Sequence, residues 1–164
     1  MMIRNTLLAL AATLALGTAE AASYNFNGQI DTGPALGQTF NGQFSFDETL
    51  LTGSAYELLD LGSWTLNALG QTYTAAGATV APQAAFWEGQ FVGISAFHRT
   101  AVGSVSLIDG YFDLSSAYLS YVTPLGDGIG SYTISAVPEP STWALGLAGL
   151  AVIGVMARRR RQQA

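Results

Sequence analysis

Two stretches near the front of the chain alternate strictly between apolar and polar residues. In "SYNFNGQID", Tyr24, Phe26, Gly28 and Ile30 share one side, and Asn25, Asn27 and Gln29 share the other. "TFNGQFSFD" does the same, with Phe40, Gly42, Phe44 and Phe46 opposite Asn41, Gln43 and Ser45. A period of two is the signature of a half-buried strand, and a helix with its period of 3.6 would scatter these residues around its circumference. The pattern therefore reads as half-buried strands. The echo of "FNGQI" in "FNGQF" marks two similar strands that follow each other or pair. Asn-Gly is a turn signal, yet here the alternation continues straight through it. That predicts a glycine facing a bulky cross-strand aromatic, or a small bulge.

More strand pairs follow. "SWTLNA" and "QTYTAA" flank Leu69-Gly70, and "AAFW" and "QFVGISAFHR" flank Glu88-Gly89. "GSVSLI" and "YFDL" flank Asp109-Gly110, the best two-residue hairpin signal in the chain. "AYLSYVT" and "GSYTISA" flank a loop from Pro124 to Gly128. Helical periodicity is weak, except that Leu50, Tyr56, Leu58 and Leu59 in "DETLLTGSAYELLDL" could line a loop or one short helical turn. The fold class is all-β, an antiparallel β-sandwich or barrel of about eight to ten short strands; the pattern does not choose between them.

Both ends read as processing segments. Residues 1–21 have a lone cation, Arg4, then an apolar run from Leu7 to Leu16 and small residues fitting A-x-A cleavage at Ala19 and Ala21, before Ala22. That run is too short to span a hydrocarbon layer as a helix, so residues 1–21 read as a signal peptide. Residues 22–136 form the exported β-rich domain. Its carboxylates are Asp31, Asp47, Glu48, Glu57, Asp60, Glu88, Asp109, Asp113 and Asp127, against a single full cation, Arg99. Such a surface repels phosphate backbones, which argues against nucleic acid as a partner. With no cysteine, the domain lacks disulfides and depends on its hydrophobic core.

Residues 137–164 make a distinct tail. Pro138 and Pro140 fix φ and lack an amide donor, and each disfavours helix at the residue before it, so residues 137–142 should be extended and exposed. The apolar run 143–157, opening on Trp143, would span about 22 Å as a helix. That is short for a bilayer, but Ser141, Thr142 and snorkelling arginines can lengthen it. Arg158, Arg159, Arg160 and Arg161 then act as a stop-transfer signal, placing the basic end, 158–164, in the cytoplasm and the domain outside. Val137, Pro138, Glu139 and Pro140, the apolar span and the arginines closely resemble the PEP-CTERM sorting signal of Gram-negative bacteria. The resemblance covers roughly the last 28 residues. It implies that signal peptidase and an exosortase act on the chain, the latter at or near Pro-Glu-Pro. It also implies transit through the inner membrane and a destination in the envelope, at the cell surface or outside, in species that make exopolysaccharide and biofilm matrix. The tail reads as a removable address, with a permanent anchor as the competing reading.

The domain offers no catalytic, cofactor or metal site to assign. His98 is the one histidine, near an expected strand end, and no G-x-S-x-G elbow accompanies it. One histidine without cysteine excludes the usual structural zinc sets. Asp109, Asp113 and Asp127 match no calcium loop, and turn chemistry accounts for Asp109-Gly110 and Asp127-Gly128. Asp47, Glu48, Glu57 and Asp60 are close in sequence, but adjacent strand residues point to opposite faces, so a solvated loop explains them better than a glycosidase pair. Trp64 and Trp87, with Tyr73, Tyr111, Tyr118 and Tyr121, could form a flat face for sugar rings, although a disulfide-free domain needs aromatics for its core first. The expectation is an exported, non-enzymatic envelope or matrix protein. A carbohydrate-binding module associating with exopolysaccharide is the alternative, and a hydrolase with an unrecognised site the third reading.

Overall fold

The computed structural model describes residues 22–137, together with Gly146 and Gly149, both helical. The signal peptide, the neck Pro138–Pro140, the apolar run as a span and Arg158–Arg161 lie outside the described residues. Among the described residues no helix is long and apolar enough to cross a membrane.

The domain is a single antiparallel sheet of ten strands. In chain order these are β1 (Ala22–Ile30), β2 (Thr39–Phe46), β3 (Tyr56–Asp60), β4 (Ser63–Ala68), β5 (Gln71–Thr74), β6 (Val80–Trp87), β7 (Gln90–Thr100), β8 (Gly103–Ile108), β9 (Tyr118–Thr123) and β10 (Gly126–Ala136). Their order across the sheet is β3-β6-β7-β8-β9-β10-β1-β2-β4-β5. The sheet curls so that its two halves face one another. Trp64 of β4 meets His98 of β7, Phe44 of β2 lies 5.8 Å from Phe91 of β7, and Phe46 of β2 lies 5.2 Å from Phe86 of β6. One side chain in two along each strand thus enters a common core, as the alternation required.

The echoed segments do pair, in an arrangement that explains both glycines. In the β1–β2 register Phe26 faces Gly42 and Gly28 faces Phe40. Each ring lies over the glycine of the other strand. A Cβ on Gly28 would strike Phe40, and one on Gly42 would strike Phe26. Asn27 and Asn41 pair between them on the outer face. There a row of uncharged polar side chains crosses five strands: Thr133, Asn27, Asn41, Asn67 and Thr72. Asn67 donates to Asn41 Oδ1 at 3.0 Å, and Thr72 donates to Asn67 Oδ1 at 2.7 Å.

The turns at Leu69-Gly70 and Glu88-Gly89 form as expected, with all four residues at positive φ, the geometry that matches strand twist. Three expectations are corrected. Asp109-Gly110 does not close a hairpin: "YFDL" is no strand, and Ile108 pairs with Tyr118 across the intervening loop 109–117. The Gly110 N–H donates to Val92 O at 2.8 Å, drawing the loop onto β7 in place of a tight turn. At the next connection, Gly126 pairs with Thr123 around Pro124-Leu125, so Asp127 and Gly128 belong to β10. Finally, "DETLLTGSAYELLDL" does hold one short helical turn, the 3-10 helix Glu48–Leu50, but its Tyr56–Asp60 is an edge strand, paired with β6. Only Leu59 of its leucines packs against the core, which is why its pattern is hard to read.

Candidate functional site

The loop 109–117 carries two large exposed aromatics, Tyr111 and Phe112. Beyond the Gly110 bond, the Tyr111 N–H donates to Ser116 Oγ at 3.1 Å. Asp113 caps a 3-10 turn, Leu114–Ser116, by accepting from Ser115 N at 2.8 Å. Gly93 of β7, at φ 144°, lets the loop lie flat, because a Cβ there would stand 2.9 Å from Asp109 Cα. The loop is thus fixed on the outer face of β7, and its two aromatics have nowhere to go but outward.

Tyr111 is 74% exposed and Phe112 55% exposed. Their ring centroids lie 4.4 Å apart, edge to face. Trp87, half-buried at the end of β6, completes the cluster, nearly parallel to Tyr111 at 6.4 Å and perpendicular to Phe112 at 5.3 Å. Tyr56 of β3 pairs with Trp87 across the ladder, and its hydroxyl donates to Asp109 Oδ2 at 2.9 Å. Burial, then this carboxylate, push the Tyr56 phenol up to about 12, so it stays protonated and donating. Three rings beside a carboxylate and a phenol form an apolar platform with hydrogen-bonding groups at its margin.

Of the aromatics singled out in sequence, Trp87 and Tyr111 meet in this exposed cluster. Trp64, Tyr73 and Tyr121 are buried. Trp64 stacks on Phe26 at 5.5 Å and is unavailable to a ligand, which corrects its assignment to a ligand-facing surface. The Tyr121 hydroxyl accepts from Ala35 N at 2.9 Å and donates to Thr32 O at 3.1 Å, tying down the β1–β2 connection. Tyr118 stands on β9 opposite Ile108. Phe112 and Tyr56 were missed. Read as a strand, "YFDL" sends Tyr111 and Phe112 to opposite faces, whereas the loop presents both.

Several titratable groups have structural partners. His98 is buried in the core, not at a surface edge: its Nε2 accepts from Trp64 Nε1 at 3.2 Å. Burial lowers its pKa below the ordinary 6.5. In the interval below 6.5 the unfolded chain binds a proton that the folded chain refuses. Stability is therefore fully present above about pH 6.5 and falls as the pH drops from there. A lower urea midpoint at pH 5 than at pH 7 is expected, with that difference reduced in His98→Gln. Asp47 accepts from the Thr49 hydroxyl and N–H, and Glu57 from Thr52 and Ser54 backbone N–H groups; these bonds hold both carboxyls below their ordinary values. Asp60 accepts from Gln83 at 2.8 Å. A glycosidase acid needs the opposite shift. Among the described residues no three His, Asp or Glu side chains converge as a metal would require.

Residues 136–161 match the family model described as the PEP-CTERM protein-sorting motif. The match begins at the last residue of β10 and runs through the tail to Arg161. No curated protein and no solved structure matches the chain. The motif supports an exported protein handled by an exosortase and sorted to the envelope or surface.

Proposed function

We propose that the β-rich domain is a non-enzymatic glycan-binding module of the cell surface or extracellular matrix, delivered there by exosortase handling of its tail. The observation that carries this reading is the cluster of Tyr111 and Phe112, held outward on a well-bonded loop, with Trp87 at the end of β6. Exposed apolar area of this kind marks an interaction surface. The C–H faces of a sugar ring match aromatic faces, while sugar hydroxyls can bond to Asp109 and the neighbouring phenol. A non-catalytic role is favoured because His98 lies in the core and the carboxylates near Asp47 organise loops.

The test is retention of the exported protein on exopolysaccharide from the producing cells. Tyr111→Ala and Trp87→Ala should each weaken retention about tenfold. Tyr111→Ala should leave the thermal midpoint nearly unchanged, since the side chain is largely in solvent. Equal retention of the variants would refute the platform, and release of new reducing ends would indicate a hydrolase.

A further inference from the structure

A second site, separate from the aromatic platform, lies where the end of β2 meets the β6–β7 hairpin. A cleft of about 300 Å³ opens there between Tyr24, Phe44, Phe46, Phe86 and Phe91, at the lower end of the size range for small-ligand pockets. Several of its rings are nearly parallel. Tyr24 lies 5.3 Å from Phe46 at 3°, and Phe46 lies 6.2 Å from Phe91 at 1°. Phe44, Phe46 and Phe86 are buried, while Tyr24 and Phe91 are half-buried at the opening.

The polar groups here are a carboxylate and a phenol. Glu48 lines the cleft, exposed, and accepts from the Tyr24 hydroxyl at 2.6 Å. Burial and this carboxylate push the Tyr24 phenol up to about 12, so it remains a neutral donor. Arg99 is the sole lysine or arginine within residues 22–137. It lies at the far end of β7, roughly 25 Å along the strand from Phe91 at about 3.3 Å per residue. Ring π-systems with a carboxylate, and no lysine or arginine beside them among the described residues (a chain cut before Ala22 adds its α-ammonium on the strand opposite Phe46), favour positive charge on an apolar body.

We propose that this cleft binds a small organic cation, a quaternary ammonium or protonated amine, seated against Tyr24 and Phe91 with its charge toward Glu48. Choline and its uncharged carbon analogue 3,3-dimethylbutan-1-ol separate this site from a merely greasy one, because they share size and shape. In calorimetric titration of the exported protein, choline should bind about tenfold tighter than the analogue. Glu48→Gln and Phe91→Leu should each lower choline affinity about five- to tenfold. Phe91→Leu keeps the cleft apolar while removing the ring, and a cooperative thermal transition will show that each variant folds. Tyr111→Ala should leave choline binding intact, which keeps this test distinct from that of the glycan platform. Added binding of glucosamine oligomers, with none of their N-acetylated forms, would place the cation on a polymer; choline alone would mean a free solute. Equal affinity for the uncharged analogue, absence of choline binding, or indifference to Glu48→Gln would overturn the proposal.

Discussion

Gly42→Ala should lower the thermal midpoint of the exported protein by about 10 °C, corresponding to about 3 kcal/mol in a domain of this size. The added methyl meets two obstacles, the Phe26 ring and the backbone oxygen of Thr65 on β4. Neither can yield easily. Phe26 is fully buried between Trp64 at 5.5 Å and Tyr132 at 6.0 Å, so its ring has no vacant space to turn into. The Thr65 carbonyl belongs to the strand paired with β2, and moving it opens the β2–β4 ladder. Gly77→Ala supplies the control, because a Cβ there meets nothing within 4 Å and its φ is ordinary. Calorimetry should find that variant within about 0.5 kcal/mol of wild type. Equal losses in both would mean that the reciprocal ring-over-glycine packing contributes nothing specific.

That packing is legible in the alternation of residues alone, because a period of two decides which side of a strand each residue occupies. The same logic holds further on. In "SWTLNA", Trp64 shares parity with Leu66 and Ala68, and all three are buried. The alternation therefore places Trp64 in the core, against its assignment to a ligand face. Trp87 has opposite parity to Phe86 and does face outward. What local pattern could not supply was the curl of the sheet, since contacts such as Trp64–His98 join strands far apart in its order. Nor could it find the loop 109–117. Asp-Gly is a strong hairpin signal, but here Gly110 approaches Val92 of β7, and a tertiary bond overrides the local preference. The platform was half visible for that reason: its residues were nameable, their convergence was not.

The second large effect concerns the tail. The Val137 N–H donates to Ser23 O at 2.8 Å, continuing the pairing of β1 with β10 by one bond. Pro138 has no N–H with which to extend it. The sequence thus sets a proline-rich neck directly after the end of a folded sheet. Replacing Pro138, Glu139 and Pro140 together with alanine restores amide donors and strong helix propensity. We expect the variant to accumulate as a longer, membrane-retained form, seen on fractionation as a shift of nearly all the protein from the released to the membrane pool. Unchanged release would mean that the neck is not what the processing enzyme reads.

The most direct measurement is the intact mass of wild-type protein recovered from the cell surface or medium. The prediction is a species beginning at Ala22, ending near Pro138–Pro140 and lacking Arg158–Arg161. A surface species whose mass still includes the four arginines would contradict it, and the tail would then be an anchor.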